Sequence, residues 1–504
     1  MPPIRLVRGR WILTGDRVLS DGAIAIQADS ILAVGAWEEL RQQYPQAEVL
    51  GSDRYLIMPG LVNAHHHSNG VSHTLQGVND DFLELWLLAN LTLRPQPPRL
   101  KTLLSIAQLL QSGVTTVVDV ASVSGSPEAC LDNLQARLQA YEQAGMRVAL
   151  TPGAIYESRF VHHEDETFLA SLPAPLRQQL TTLVPQQALT QDDYLALMTE
   201  LVKQYREHPH IDVWFGPPGP QWVGDDLLVR IVEIAHRLDT QIQTHAVESF
   251  HEKLIGPRFH GKSVIAHLQD LGVLSPRFSI AHGTWVTATD IDILAATGAA
   301  VSHNPSSNLR LRAGVAPLNA LLASGVTLGL GMDGTTLGDD EDMFAEMRLA
   351  ARLHRTPQLG SPAPSYGDIF QMATSGGAKL MGQSDRIGQL AQGYRADLVL
   401  VNCDRITAPW VAPEIDPFKL AFLRTQARDV DTVLVNGQVV LESGRPTGFD
   451  LQAVQQEIAA LLDATPAPED YRALVTELKP LIFDWYHRWE HQELTPYEAF
   501  NSRH

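Results

Sequence analysis

Residues 59–70 read PGLVNAHHHSNG, and the fold turns on this stretch. The apolar run MPGLVNAH (58–65) predicts a short buried strand that ends in three histidines. On an extended chain, residues two apart point to the same side. His65 and His67 can therefore converge on one metal ion, while His66 should point the other way. A triple-histidine run alone is as readily structural as metal-binding. Its position at the end of a strand favours the second reading, because barrel enzymes carry their chemistry at the C-terminal mouth of the sheet.

Outward from this strand the period alternates. Seven further strand-like runs follow: VTTVVDV (114–120), MRVALTP (146–152), IDVWFG (211–216), TQIQTH (240–245), RFSIAH (277–282), AAVSHN (299–304) and VTLGLGMD (326–333). Between them lie helical patterns such as LKTLLSIAQLLQS, DDLLVRIVEIAHRL and EDMFAEMRLAARLHR, with apolar residues spaced by three and four. Strands alternating with helices predict a parallel α/β sheet, here a TIM-type (β/α)8 barrel over residues 57–384. A doubly wound open sheet is the weaker alternative. Residues 1–56 and 385–446 are β-rich, and Asn436-Gly437 is a strong hairpin signal. The two segments are expected to pair into one small β-sandwich domain. Residues 447–504 read as a helical extension. Its apolar stripes, with Trp485 and Trp489, must cover either their own barrel or a second subunit, and a homo-oligomer, most simply a dimer, follows from the second. Residues 153–191 form a connection too long for an ordinary barrel loop, with the makings of a lid.

Composition narrows the partners. The 504 residues are 44% hydrophobic and 19% charged, an ordinary globular balance. With 38 basic against 57 acidic residues the net charge is −19, which argues against nucleic acid and against an anionic membrane surface. Two cysteines, Cys130 and Cys403, make no disulfide framework and suit a reducing compartment. There is no signal-like or membrane-spanning apolar run, so a cytoplasmic location is expected.

More polar residues fall at later strand ends. THAVES places His245 at the end of the fifth strand with Glu248 three residues on; AHGTW places His282 at the end of the sixth; GMDG places Asp333 at the end of the eighth. Three histidines and an aspartate form a normal ligand set for one zinc or iron(II) ion. Residues of this kind at one barrel mouth are hard to account for as core polar groups. The acidic run DDED (339–342) reads as a helix N-terminus, with Asp340 its cap.

Together PGLVNAHHH, HAVES, AHGTW, SHNPSSNLRLRAG, GMDGTTLGDDEDMFAEMRLAARLHR and GQLAQGYRADLVLVN resemble the amidohydrolase superfamily, specifically its mononuclear-metal aminohydrolase branch. That branch includes cytosine, guanine and S-adenosylhomocysteine deaminases and s-triazine hydrolases. The resemblance implies a distorted (β/α)8 barrel with a β-sandwich from both chain ends. It implies His65, His67, His245 and Asp333 as metal ligands, Glu248 as proton shuttle and His282 as the group that polarises substrate or water, with Asp333 sharing the proton transfers. Binuclear relatives bridge two metals through a carboxylated lysine on the third or fourth strand. Here no lysine lies between Lys101 and Lys203 or between Lys203 and Lys253, so one divalent metal is expected, zinc before iron(II).

The implied reaction is hydrolytic deamination of a small amino-substituted N-heterocycle (a purine, pyrimidine, pterin or triazine), a metal-activated hydroxide attacking the ring carbon and ammonia departing. The alternative is another leaving group on the same site: an alkylamine, a halide, or an amide C–N bond. Trp86 and Trp285 are expected to stack on the ring. Asn304, ending the seventh strand, is expected to face it. Gln76 stands where the resembled family often carries arginine, and its amide could pair with ring N–H and C=O edges.

Overall fold

The computed structural model describes residues 2–15, 17–184 and 188–490. Eight parallel strands form two arcs of four. The first arc holds Leu61–His66, Val114–Ser122, Arg147–Gly153 and Ile211–Val213; the second holds Ile242–Ala246, Phe278–His282, Ala300–His303 and Leu328–Leu330. Strand order follows chain order. One seam between the arcs is bridged by Phe215 and Ile242. At the other, the N–H groups of Met332 and Asp333 both donate to the His65 carbonyl, at 3.2 and 3.0 Å. The result is a distorted (β/α)8 barrel, as the alternation of periods predicts. Its strands are buried along almost their whole length, which is why they read as apolar runs. Gly331 is required where the last strand passes the first: a Cβ there would lie 2.3 Å from Asn304 Oδ1 and 2.9 Å from His65 Cβ.

The chain ends build an eight-stranded sheet. Ile4–Leu13 pairs antiparallel with Val18–Gln27 and parallel with Glu48–Pro59; Leu398–Asn402 then adds antiparallel to Glu48–Pro59, and Val430–Val435 follows. Leu398, Leu400 and Leu434 share a core with Ile24, Ile26 and Ile31 from the other end of the chain. The expected hairpin turn is present: Asn436 (φ 47°) and Gly437 (φ 72°) both have the left-handed backbone that a two-residue turn joining twisted strands demands.

Sheet and barrel are tied through one buried cation. Arg147, on the third barrel strand, reaches Asp397 and Asn436 of the sheet, and the Asn436 N–H donates to Asp397 Oδ1 at 2.8 Å. Arg147 and Asp397 are both buried.

The connection after the third strand is folded, with helices Asp165–Ser171 and Ala174–Leu183. The extension supplies helices Leu451–Ala464 and Glu469–His487. The last helix buries Leu474, Leu478, Ile482 and Tyr486, a spacing of four that makes one stripe. It rests on the helices Leu83–Ala89 and Ala174–Leu183, and Trp485 meets Phe168 edge-on at 5.4 Å. The stripe is therefore covered within its own chain. One local expectation needs correction. The cap of helix Met343–Leu353 is Asp342, whose Oδ1 accepts from the N–H groups of Phe344 and Ala345 at 2.8 and 3.2 Å. Asp340 sits two residues too early and accepts from the Thr336 hydroxyl instead.

Arg147→Met is expected to cost about 3–5 kcal/mol, because it strands the Asp397 carboxylate in the interior. The check is the shift in urea midpoint. Adding Asp397→Leu to the same chain should recover much of the loss, since no uncompensated charge then remains.

Candidate metal centre

Four strand ends bring the polar residues to one point. His65 and Asp333 approach through Nε2 and Oδ1 at 3.1 Å, His67 and Asp333 at 3.2 Å, and the Nε2 atoms of His67 and His245 at 3.3 Å. One ligand atom from each of His65, His67, His245 and Asp333 lies within 4.8 Å of the others, and a second group, Glu248, His282 and Asp333, meets the same limit. Asp333 belongs to both, so the two groups meet at its carboxylate. His66 is buried but outside them, with its Nδ1 at 3.7 Å from Glu341, as the strand alternation requires.

The imidazoles are oriented from behind. His245 Nδ1 lies 2.7 Å from the Pro218 carbonyl, which can only accept, so that nitrogen carries the proton and Nε2 turns a lone pair inward. His65 Nδ1 faces Gln243 Oε1 at 2.8 Å, and the amide is held in that sense by its own N–H donations to Ala64 O and Ser279 Oγ. Metal-binding histidines are anchored in this way through their second nitrogen. The buried His65 Nε2 has no hydrogen-bond partner. Inward lone pairs and a carboxylate crowded at these distances repel one another unless a cation lies between them, so the residues fit one divalent metal. No lysine is among them.

Electrostatics agree. Burial, then the neighbouring His65 and His67, holds His245 well below the ordinary histidine value. Burial pushes Asp333 up, but the close approach of His65 and His67 outweighs it and holds the carboxyl well below its usual range. Burial and then Glu252 lift Glu248 well above the usual glutamate value. Burial takes His282 down to about 4, so its imidazole is neutral. His282 Nδ1 lies 2.8 Å from Asn308 Oδ1, and its Nε2 stands 3.5 Å from Glu248 and 3.8 Å from Asp333. The backbones of His282 (φ 74°) and Asp333 (φ 60°) are left-handed, a conformation that side chains with a Cβ adopt at a cost. The strain sits at two of the residues that aim polar atoms into the cluster.

A cavity of about 420 Å³ opens from this point, within the range of small-molecule sites. His67, His245, Glu248 and Asp333 form its floor. Of the four residues expected to meet substrate, Trp86 lines it, with His73 edge-on at 4.7 Å. The other three are placed elsewhere. Gln76 is used within its own loop, its amide accepting from Arg94 N at 3.0 Å and donating to Val71 O at 3.2 Å. Trp285 turns away, its indole N–H on the Ala313 carbonyl at 2.6 Å and its ring against Phe250. Asn304 is wholly buried beneath the cluster, accepting from Ser302 Oγ at 2.9 Å. Sequence reasoning passed over Ser307, which donates to Asp333 Oδ2 at 2.5 Å, and Glu252, which accepts from the Glu248 N–H at 2.7 Å. A carboxylate four residues after Glu248 was the one available hint.

Comparison with known proteins adds to this geometry. Residues 56–440 match the model of the amidohydrolase family, and residues 22–47 match an imidazolonepropionase-like composite domain of bacteria. The 5-methylthioadenosine/S-adenosylhomocysteine deaminase of Nitratidesulfovibrio vulgaris (strain DSM 19637 / Miyazaki F) is 29% identical over 462 residues, 90% of this chain and 96% of that protein. That of Syntrophobacter fumaroxidans is 28% identical over 466 residues, again 90% and 96%. Among solved structures, a zinc-bound adenosine deaminase from Xanthomonas campestris superposes with a TM-score of 0.77 at 27% identity, covering 92% of this chain and 98% of that one. The zinc complex of atrazine chlorohydrolase TrzN from Arthrobacter aurescens TC1 gives 0.76 at 24%, covering 91% and 99%, a likeness of fold.

Gln243→Leu removes the acceptor that orients His65 without touching a ligand. It is expected to weaken metal affinity by about 10- to 100-fold. Competition with a chromophoric chelator measures this, and an unchanged affinity would remove the anchoring argument.

Proposed function

We propose that this chain, which belongs to the amidohydrolase family, is a metal-dependent hydrolytic deaminase of an amino-substituted N-heterocycle. One observation carries the reading: the three-histidine, one-aspartate cluster shares Asp333 with a second group, Glu248 and His282, at the floor of a cavity sized for a small molecule. The names of the relatives favour an adenine-type ring.

His65, His67, His245 and Asp333 would hold the metal. Zinc is favoured by the zinc-bound Xanthomonas structure, though iron(II) suits the same donors. Such an ion lowers the pKa of a bound water from about 15.7 towards 7. The chain's own groups then move two protons. Glu248 takes the first from the attacking water and delivers it to the ring nitrogen beside the reacting carbon. Its raised affinity for a proton suits it to hold one between the two transfers. Neutral His282, with Nδ1–H on Asn308, presents an Nε2 lone pair that orients the remaining O–H. Asp333 takes the second proton and passes it to the exocyclic amine, which leaves as ammonia. Water thus supplies both protons and the oxygen: the C–N bond breaks, a C–O bond forms, and the product ring carries C=O and N–H. Trp86 and Trp222 line the cavity where the ring would lie.

The same reading assigns catalysis to the barrel of residues 57–384, with the sheet (1–56 and 385–446) and the extension (447–504) as separate units around it. Both cysteines are free and buried, which supports a reducing cytoplasmic setting. Among the described residues no helix is long and apolar enough to cross a membrane.

Glu248→Gln should keep its metal and lose roughly 10²–10⁴-fold in rate. Ammonia release from aminated heterocycles, with metal content measured on the same sample, tests this. Normal turnover by a fully loaded variant would remove Glu248 from the mechanism, and release of chloride or alkylamine in place of ammonia would favour the other leaving groups.

A further inference from the structure

The cavity continues well past the metal cluster. Its far part is walled by segments outside the barrel proper: the stretch around helix Leu83–Ala89, the connection after the third strand, and the last helix. Leu88, Leu91, Phe168, Leu180, Leu478 and Ile482 face it, and all are apolar. The last four are buried. Two charged side chains also reach this lining, and each is paired with an opposite charge of the protein. Glu84 accepts from Ser249 Oγ at 2.5 Å and lies 3.1 Å from His251 Nδ1 and 3.4 Å from His162 Nε2. Arg159 donates from Nε to Asp165 at 2.7 Å, with its guanidinium over the Phe160 ring.

A substituent bearing its own charge would lose its hydration here and meet ionic groups already paired with an opposite charge, plus single unpartnered atoms such as those on Arg159 and Asn90. An apolar one would gain from leaving water and touching these side chains. We propose that this outer chamber receives an uncharged apolar arm on the aminated ring, and that Leu478 and Ile482 of the last helix set the preference. The inference rests on the deaminase reading and narrows its substrate class. Among adenine thioethers it selects alkyl arms over the zwitterionic amino-acid arm of S-adenosylhomocysteine. The C-terminal extension is then part of the specificity apparatus, contributing to the site from the far end of the chain.

The test uses the full-length zinc-loaded protein and ammonia release from adenosine, 5′-methylthioadenosine, 5′-butylthio-5′-deoxyadenosine and S-adenosylhomocysteine. Both alkyl thioethers should exceed S-adenosylhomocysteine in kcat/KM by about 10-fold or more, the scale on which an apolar pocket discriminates, with the difference mainly in KM. In Ile482→Asp the ratio of the butylthio compound to adenosine should fall by about 10-fold or more, and Ile482→Val should keep it. Because the ratio is taken within one preparation, a loss of folded protein cancels. An unchanged ratio in Ile482→Asp overturns the role of the last helix. Arg159 retains one buried Nη1 without a hydrogen bond. If S-adenosylhomocysteine is the better substrate, and loses that advantage in Arg159→Leu, the chamber is a carboxylate receptor and the inference is wrong while the deaminase reading stands. No ammonia from any of the four by metal-replete protein overturns the adenine deaminase reading itself, and the inference with it.

Discussion

Everything in this molecule depends on the mutual repulsion of four inward-facing donors. Three imidazoles and a carboxylate are held within 4.8 Å, and three of the four, His65, His245 and Asp333, are fixed from outside by groups that leave them little choice of direction. The Pro218 carbonyl and the Gln243 amide hold the protons of His245 and His65 on the outside. Ser307 fixes one oxygen of Asp333. Such an arrangement is costly by itself, and the rest of the barrel supplies the rigidity that maintains it. Two backbones strained at His282 and Asp333, and a glycine where the eighth strand crosses the first, belong to the same cost.

The barrel and the cluster were legible because they rest on local rules. A strand buried on both faces is an apolar run, and a functional residue at its C-terminal end is a polar residue that closes the run. That logic finds His65, His245, His282 and Asp333 without any knowledge of what they face. It separates His65 from His66 by the two-residue period alone. The Asn436-Gly437 turn was readable for a similar reason, since few residue pairs tolerate its backbone. The substrate wall was not readable in this way. Gln76, Trp285 and Asn304 lie close in sequence to the right strand ends, but their side chains are claimed by Arg94 and Val71, by Ala313, and by Ser302. Which way such a side chain turns is decided by individual hydrogen-bond partners, near and far in the chain, that no periodicity marks. Glu84 shows this most clearly: its surroundings, Ser249 and His251 on one segment and His162 on another, lie about 80 to 165 residues away.

The parts outside the barrel have distinct physical tasks. The sheet built from both chain ends is locked to the barrel through Arg147, which keeps the two ends of a long chain on one framework. The last helix instead covers the mouth side, placing Leu478, Ile482 and Tyr486 in the wall of the cavity that starts at His67 and Glu248. Tyr486 also accepts the His162 N–H at 2.8 Å, so the helix and the connection after the third strand form one wall.

The central claim is that His65, His67, His245 and Asp333 bind one ion among them. Crystals of the zinc-loaded protein, with anomalous differences recorded on either side of the zinc absorption edge, test it most directly. The account predicts one strong peak per chain, within bonding distance of three imidazole Nε2 atoms and an Asp333 oxygen. A pair of peaks, or a single peak remote from these side chains, would contradict it.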